Sequence, residues 1–468
     1  MKSCQHRAVL VNRSVHPLTM DEPMGIDPGA AAGRAAQAEQ TSLLVEEAPI
    51  LRRLRPLVKH AAGKGMHVYH MGVGCLKLPP PRSVVDGIRN TRLQLEPYPQ
   101  SNGQDALLEA VSKYLTGVLG FDVSRHHSMI VPGGLGAVFG AISLCSQIGD
   151  QIGVVRPSWP NTPLLAKFYG RKVVEIETRA ETGWQLPTLG ELAELISDDV
   201  RLLVIERPAN PTGVCWTDEE LTTLDQLLER RPALRIFADE EYMELCVGEP
   251  RSILELRRDR ILAGSGFSKS MALTSARLGR LTTLDPEISR LFVPRSNVWL
   301  GANNLLGVQG QIAEFLLEKG SGGAARYFAE VNDFIAKARC QVRVAFHGHP
   351  HIQLHQGAGA YYDILRFVDE RLDAEQVLIH RLLTSLEAMD AQMPGPARGL
   401  PFTYVMPLRG FYSEGVRAEI MDGFRLTLAL SSEELFGALS NLSEMIEAYI
   451  DAGAPYYGTV ESVVDRYV

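Results

Sequence analysis

The sequence predicts an α/β protein in which helices flank a mainly parallel sheet, joined to a smaller α+β domain. Short apolar runs such as 151–155 and 202–205 alternate with longer helical patterns such as 105–119 and 218–229. Alternation of this kind is typical of parallel sheets with helices on both faces. After about residue 325 the pattern changes to long helices with few strands, which indicates the second domain.

The chain length of 468 residues is that of a protein with two or three domains. Residues 1–45 contain proline, glycine and a stretch of small residues, so we expect an N-terminal extension with little structure of its own. We expect a small domain built from residues 46–95 and 326–468, and a large, ligand-binding domain over residues 96–325.

Composition excludes several classes of protein. Hydrophobic residues make up 45% of the chain and charged residues 22%, as in globular proteins, and no apolar run is long enough to span a bilayer. A net charge of −8 argues against a nucleic-acid partner. The six cysteines form no C-x-x-C pair and the N-terminus has no export signal, so we expect free thiols, no membrane partner and a cytoplasmic location.

A lysine in an unusually apolar setting is the first candidate for chemistry. Lys269 is surrounded by small and apolar residues, and no charged residue follows it until Arg277. A lysine held away from water becomes a usable amine nucleophile or base, and Arg277 could bind a phosphate dianion. Taken alone, Lys269 could equally be a solvated surface charge.

Polar residues also follow the predicted strands. Asp239 ends the apolar run 236–238, and an acid at the carboxyl end of such a strand points into the crevice where open α/β sheets bind ligands. Asn210 lies in an Asn-Pro-Thr-Gly turn after another predicted strand. Taken alone, Asp239 could cap a helix and Asn210 could mark an ordinary turn. A single site is favoured by the order of five residues along the chain: Asn210, Asp239, Tyr242, Lys269 and Arg277.

This pattern resembles the class I/II aminotransferase family, which belongs to the fold-type I pyridoxal-phosphate (PLP) enzymes and includes aspartate aminotransferase. The Asn-Pro-Thr-Gly turn, the Asp-x-x-Tyr element and the Ser-Lys segment followed by an arginine all match, and the resemblance covers roughly residues 65 to 430. It implies a PLP cofactor, an amino acid substrate and transfer of the amino group to a 2-oxo acid through a Schiff base on Lys269.

The resemblance also implies a role for each matched residue. Lys269 would hold the cofactor and move the α-proton, while Asp239 would keep the pyridine nitrogen protonated. Asn210 and Tyr242 would hydrogen-bond the phenolic oxygen, and Trp159 would stack on the ring. The phosphate would lie at the start of a helix, where it would contact Gly134, Leu135, Gly136, Ser268 and Arg277.

Three further residues concern the substrate and the assembly. Gly74 belongs to a glycine segment that resembles the entrance to the substrate site, and Arg425 would form a fork with the substrate carboxylate. Tyr98 would reach the phosphate bound by a neighbouring subunit, so we expect a homodimer.

Some positions depart from the family pattern. Leu135 replaces a hydroxyl residue, Gly266 stands where some relatives have serine, and Cys75-Leu-Lys77 replaces the usual Glu-Pro-Asp at the substrate mouth. Because the mouth is altered, the reaction type stays open. The alternatives are a PLP enzyme that catalyses β- or γ-elimination, replacement or cyclisation, for example on S-adenosylmethionine, or a PLP oxidase. A non-catalytic regulator that senses the cofactor would need a DNA-binding domain, and residues 1–45 show no helix-turn-helix pattern.

A histidine cluster raises the question of a metal site. His347, His349 and His351 alternate along the chain, with His355 close by, so a shared face is conceivable. The cluster contains no cysteine or acid, and Pro350 interrupts it. We therefore expect no metal.

Overall fold

The structure is a computed structural model that describes residues 50–90, 98–301, 303, 306–318, 323–391, 400–412 and 422–467. The predicted N-terminal extension, residues 1–45, lies outside the described residues. Thirteen strands occur in the described ranges: β1 Val68–His70, β2 Ser128–Val131, β3 Gln151–Arg156, β4 Lys172–Glu177, β5 Val200–Glu206, β6 Arg235–Asp239, β7 Ile261–Gly266, β8 Gly279–Thr283, β9 Ile352–Gln356, β10 Tyr362–Phe367, β11 Phe402–Tyr404, β12 Met406–Pro407 and β13 Gly423–Thr427.

The α-helices of the same ranges are α1 Ile50–Gly63, α2 Arg82–Asn90, α3 Asp105–Leu119, α4 Gly133–Cys145, α5 Asn161–Phe168, α6 Leu189–Leu195, α7 Asp218–Arg230, α8 Phe267–Ser270, α9 Pro286–Ser289, α10 Phe292–Leu300, α11 Leu306–Leu317, α12 Ala324–Phe346, α13 Ala374–Asp390, α14 Ser432–Asp451 and α15 Val460–Tyr467. None of the helices in these described segments is long and apolar enough to cross a membrane.

Seven strands form the central sheet in the order β2-β8-β7-β6-β5-β3-β4. Strands β7, β6, β5, β3 and β4 are parallel to their neighbours in that order, whereas β8 runs antiparallel to both β7 and β2. The predicted α/β class with a mainly parallel sheet is therefore confirmed.

Both faces of this sheet are buried, as β5 shows. Leu202 and Val204 pack into one apolar core beneath α4, whereas Leu203 and Ile205 pack into another beneath α7. Successive side chains of a strand point to opposite faces, so a strand covered on both sides has a continuous apolar run. Burial on both faces explains why the sequence shows short apolar runs here instead of an alternating pattern.

The sheet topology brings the predicted chemistry to one edge. Strands β2, β3, β5, β6 and β7 run in the same direction, so their carboxyl ends meet at one edge. The segments that follow these five ends carry the motifs identified in the sequence. The register places Glu206 beside Asp239, and Asp239 beside Gly264.

A second, four-stranded sheet has the order β12-β13-β10-β9 and is antiparallel throughout. It packs with α12, α13 and α14 around a separate apolar core, which also includes residues of α1. A short parallel pair, β1 and β11, joins residues 68–70 to residues 402–404. The division into a small and a large domain, with the boundaries given above, stays a prediction.

Candidate active site

A cavity of ≈ 460 Å³ opens at the carboxyl edge of the central sheet. Eleven of the predicted site residues line it: Gly74, Gly134, Leu135, Trp159, Asn210, Asp239, Tyr242, Ser268, Lys269, Arg277 and Arg425. Several described residues without a predicted role also line it, among them Glu206, Glu241, Thr274, Tyr362, Met406 and Phe411. Residues from both sheets therefore face one space.

Three groups that favour an anion converge at the start of α4. This helix begins at Gly133, whose φ of +70° suits glycine. A Cβ at Gly133 would lie 2.6 Å from Nη2 of Arg277, so the guanidinium packs directly on the helix start. Nη1 of Arg277 also donates to Oγ of Ser268 over 3.4 Å. Free backbone N–H groups, a guanidinium and a hydroxyl together make a site for a phosphate.

Lys269 lies in α8, the short helix that directly follows β7. Its side chain is half-buried and reaches across the cavity, where Nζ donates a hydrogen bond to the carbonyl oxygen of Gly74. The only primary amine among the described residues of the cavity wall is therefore positioned between the sheet edge and the mouth.

Three carboxyl groups face the same space, and each has a raised pKa. Burial raises the pKa of Asp239 to about 7, although the positive charge of Lys269 acts to lower it. Burial and the negative charge of Asp239 raise the pKa of Glu241 to about 8, and the same two causes hold the pKa of Glu206 well above its usual range. The wall thus combines these three acids with three cations, Lys269, Arg277 and Arg425, and burial is the largest cause of each raised pKa.

The turn that carries Asn210 is held by a buried ion pair. Arg207, directly after β5, donates to both carboxylate oxygens of Glu220 on α7, over 3.1 Å and 2.7 Å. Both side chains are buried, and paired geometry of this kind is needed to offset the loss of hydration. Helix α7 itself starts at a Thr217 cap that accepts from the Glu220 amide. Asn210 is therefore presented to the cavity by a rigid support.

Arg425 reaches the cavity from β13 of the second sheet. Its Nη1 donates to Oδ1 of Asn210 over 3.1 Å, and its guanidinium packs on the ring of Tyr362 at 4.4 Å. The Nε atom is buried and has no hydrogen-bond partner among the described residues. Nη2 donates to the carbonyl oxygen of Gly72, so Nε is the donor of this guanidinium that a carboxylate would satisfy.

Two tyrosines close the cavity beside the sheet edge. The hydroxyl groups of Tyr242 and Tyr362 share a hydrogen bond of 2.8 Å, and both rings are buried. A Cβ at Gly74 would come closer than 3.0 Å to the Tyr362 hydroxyl, so only glycine fits there. Val73 and Cys75 flank Gly74, line the cavity and are exposed to solvent.

Two predicted site residues lie apart from the cavity. Gly136 is in the first turn of α4, where a Cβ would meet Pro132 at 2.9 Å, and it is not among the described residues of the cavity wall. Tyr98 is 96% exposed and does not belong to that wall either. Within this chain Gly136 serves close packing, whereas Tyr98 faces outward.

The candidate histidine cluster does not converge. His351 pairs with Asp369 at 3.0 Å and His349 with Glu447 at 3.3 Å, while His355 contacts the carbonyl oxygen of Thr212. No group of three metal-ligating side chains occurs in the part of the chain that the structure describes.

The fold and the site together define a class of protein: an α/β protein with a lysine in a cavity at the carboxyl edge of its sheet. Residues 67–377 match the family model of aminotransferase class I and II. The chain belongs to that family of enzymes, as the motifs of the sequence predicted.

Individual relatives agree with this family. The chain is 27% identical over 244 residues to an aspartate aminotransferase of Sulfolobus acidocaldarius, a match over 50% of this chain and 60% of the relative. It is 24% identical to an aspartate aminotransferase of Sulfurisphaera tokodaii, over 66% of this chain and 76% of the relative. In fold, it resembles an alanine aminotransferase from Pyrococcus furiosus with a TM-score of 0.73 and 21% identity, covering 85% of this chain and 97% of the other. These comparisons do not favour the elimination and cyclisation alternatives.

Proposed function

We propose that this protein is a PLP-dependent aminotransferase that moves an amino group from an amino acid to a 2-oxo acid. The observation that carries the proposal is one cavity in which Lys269, Asp239 and Arg425 face each other beside an anion site. When bound, PLP supplies an aldehyde carbon that accepts amines and a ring that withdraws electrons. The chain would supply the binding, the orientation and the proton movements.

The described residues fit this cofactor. The start of α4, with Ser268 and Arg277, suits a phosphate group, and the space beside Asp239 suits a protonated ring nitrogen. Burial raises the pKa of Asp239 to about 7 even though the charge of Lys269 lowers it. A positively charged neighbour would lower that pKa and keep the carboxylate ionised at neutral pH. Trp159, half-buried in the cavity wall, offers a flat face for the ring.

Lys269 would hold the cofactor covalently and then move the substrate proton. Its Nζ is held in the cavity by a hydrogen bond to the Gly74 carbonyl, and an amine there would serve as the base for the α-proton. Asn210 and Tyr242 would orient the phenolic oxygen of the ring by hydrogen bonds. Arg425 would bind the substrate carboxylate, and its Nε atom is a donor that now lacks a partner.

The direct test follows the absorbance of the cofactor-loaded protein between about 300 and 550 nm while candidate amino acids are added. Transamination predicts that an amino acid alone bleaches the lysine-linked form, and that a 2-oxo acid then restores it while a new amino acid appears. Release of ammonia or of a side-chain fragment, with no need for a 2-oxo acid, would contradict the proposal and support an elimination.

We also propose a cytoplasmic homodimer in which Tyr98 completes the site of the partner subunit. Tyr98 is almost fully exposed, although large aromatic side chains are seldom left in water without a contact. The five described cysteines are free thiols, which suits a reducing compartment. A symmetric dimer is also the commonest oligomer.

Mixing two inactive variants tests the shared site. Tyr98→Arg and Lys269→Ala are each expected to be inactive, but a mixed dimer has one site in which both residues are unmutated. After subunit exchange, we expect activity to return to about one quarter of the wild-type level, because half of the dimers in an equal mixture are mixed. As a control, Lys269→Ala mixed with Asp239→Asn should stay inactive, since both residues belong to the same subunit's site. A fully active monomer, or an exchanged mixture without activity, would refute the shared site.

A further inference from the structure

Glu241 is a buried acid that has no part in the mechanism described so far. It follows β6 by two residues, its side chain is 8% exposed, and it lines the cavity. Its Oε2 atom is buried without a hydrogen-bond partner among the described residues. A buried polar atom without a partner costs free energy, so a ligand group that pairs with it would be bound with a corresponding gain.

Two glycines make room for this carboxyl group. A Cβ at Gly134, or at Gly266, would come closer than 3.0 Å to Oε2 of Glu241, and one at Gly266 would lie 2.6 Å from Oε1. Gly266 has φ −120° and ψ 160°, a backbone conformation open to any residue. It is therefore the space, and not the backbone, that requires glycine at this position. The carboxyl group of Glu241 fills the volume that a side chain at position 266 would take.

That volume adjoins the proposed phosphate site. Gly134 is in the first turn of α4, and Gly266 directly precedes α8, which carries Ser268. Position 135 is leucine and position 266 is glycine, so neither side chain offers a hydroxyl donor to this site. The carboxyl group of Glu241 is the polar side-chain group next to position 266.

The charges around Glu241 determine its protonation. Asp239 and Glu244 raise its pKa, whereas Lys269 and Arg277 lower it, and burial is the largest cause of the net rise to about 8. Glu206, on the far side of Asp239, adds a further carboxyl group to the cluster. At neutral pH the side chain therefore carries a proton, and a neutral carboxylic acid is a hydrogen-bond donor.

We propose that Glu241, as a neutral acid, donates a hydrogen bond to the cofactor phosphate in place of a serine hydroxyl. The inference rests on the proposed function, because that function defines the phosphate. It makes Glu241 a cofactor-binding residue and makes cofactor affinity depend on pH. Above the pKa of Glu241, the deprotonated carboxylate repels the phosphate dianion instead of binding it.

The test measures binding of 4-deoxypyridoxine 5-phosphate, a probe that lacks the aldehyde and so cannot react with Lys269. The full-length protein, freed of cofactor, is titrated at several pH values by fluorescence. Relative to Glu241→Gln, the wild type should lose affinity about tenfold per pH unit above about pH 8. The probe's own ionisation changes both dissociation constants equally, so it cancels when their ratio is taken. Glu244→Gln, which changes a buried acid outside the cavity wall, is the matched control; it should keep the decline, with an onset at lower pH because Glu244 raises the pKa of Glu241.

Each outcome decides a different point. If the wild type does not bind the probe at any pH, the proposed function fails and the inference fails with it. If it binds, and Glu241→Gln shows the same pH profile, only the role of Glu241 is refuted. Tighter binding by Glu241→Gln at every pH would also refute it, because the carboxylate would then be a competitor of the phosphate.

A second pair of variants checks the spatial argument independently of Glu241→Gln. Glu241→Ala should bind the probe about tenfold more weakly at pH 7, as expected for one lost hydrogen bond. Adding Gly266→Ser in that background should restore affinity without the decline above pH 8, since the hydroxyl takes the vacated space. Gly266→Ser alone should weaken binding because it crowds Glu241. Failure of the serine to restore binding in the double variant would overturn the inference.

Discussion

Replacing Lys269 with alanine is expected to leave a folded protein that binds PLP without a covalent link. Turnover should fall on the order of 10⁴-fold, the upper range for loss of a general base. Lys269 is the only primary amine among the described residues of the cavity wall, so no neighbour there replaces it in holding the cofactor or moving the α-proton. Steady-state kinetics and the absorbance spectrum of the loaded variant measure both effects.

Chemical labelling identifies the lysine independently of activity. Borohydride reduction of the cofactor-loaded wild type, followed by peptide mass mapping, should mark the peptide that contains Lys269. Lys337→Ala is a suitable control, because Lys337 is an exposed residue of α12 paired with Asp333, and its loss should leave turnover unchanged. A label on any lysine other than Lys269 would contradict the assignment.

Exchanging Asp239 for asparagine is expected to slow α-proton exchange about 100- to 1000-fold, the range for removal of one group that stabilises developing charge. The amide has the same shape but no charge, so it cannot hold a proton at the ring nitrogen. Because burial raises the pKa of Asp239 to about 7, removing its charge should not destabilise the fold.

Exchange of the substrate α-proton with deuterium, followed by NMR, isolates this effect from product release. Thermal unfolding of Asp239→Asn serves as the control for folding and should give a melting temperature close to that of the wild type. Exchange at the wild-type rate in a variant with bound cofactor would show that Asp239 does not act on the ring.

Local sequence predicted the elements around the site closely. The helix predicted over 105–119 has those bounds, and the one over 218–229 ends at Arg230. The strand predicted over 236–238 extends from Arg235 to Asp239. These boundaries could be predicted because apolar periodicity and helix caps depend on only a few neighbouring residues. Asp239 was recognised for the same reason, as a polar residue at the end of an apolar strand.

The candidate site was predictable only where residues belong to a recognisable motif. Glu206 and Glu241 were missed because neither belongs to a motif matched by the resemblance, although Glu206, like Asp239, directly follows an apolar run. Tyr362 had no predicted role, and its contact with Tyr242 joins residues 120 positions apart. Tyr98 was predicted from the resemblance, and its place in a second subunit stays a proposal.

The sequence by itself determined the α/β class, because short apolar runs indicate buried strands. It also determined the family and the lysine, aspartate and arginine around which the chemistry is proposed, because these residues belong to short motifs. Only the tertiary structure decided that Arg425 of the second sheet meets Asn210 of the first, and that Glu241 fills the space left by Gly134 and Gly266. These contacts depend on the packing of elements distant in the chain. No local pattern records such packing, since it is the folded topology that sets which side chains share a cavity.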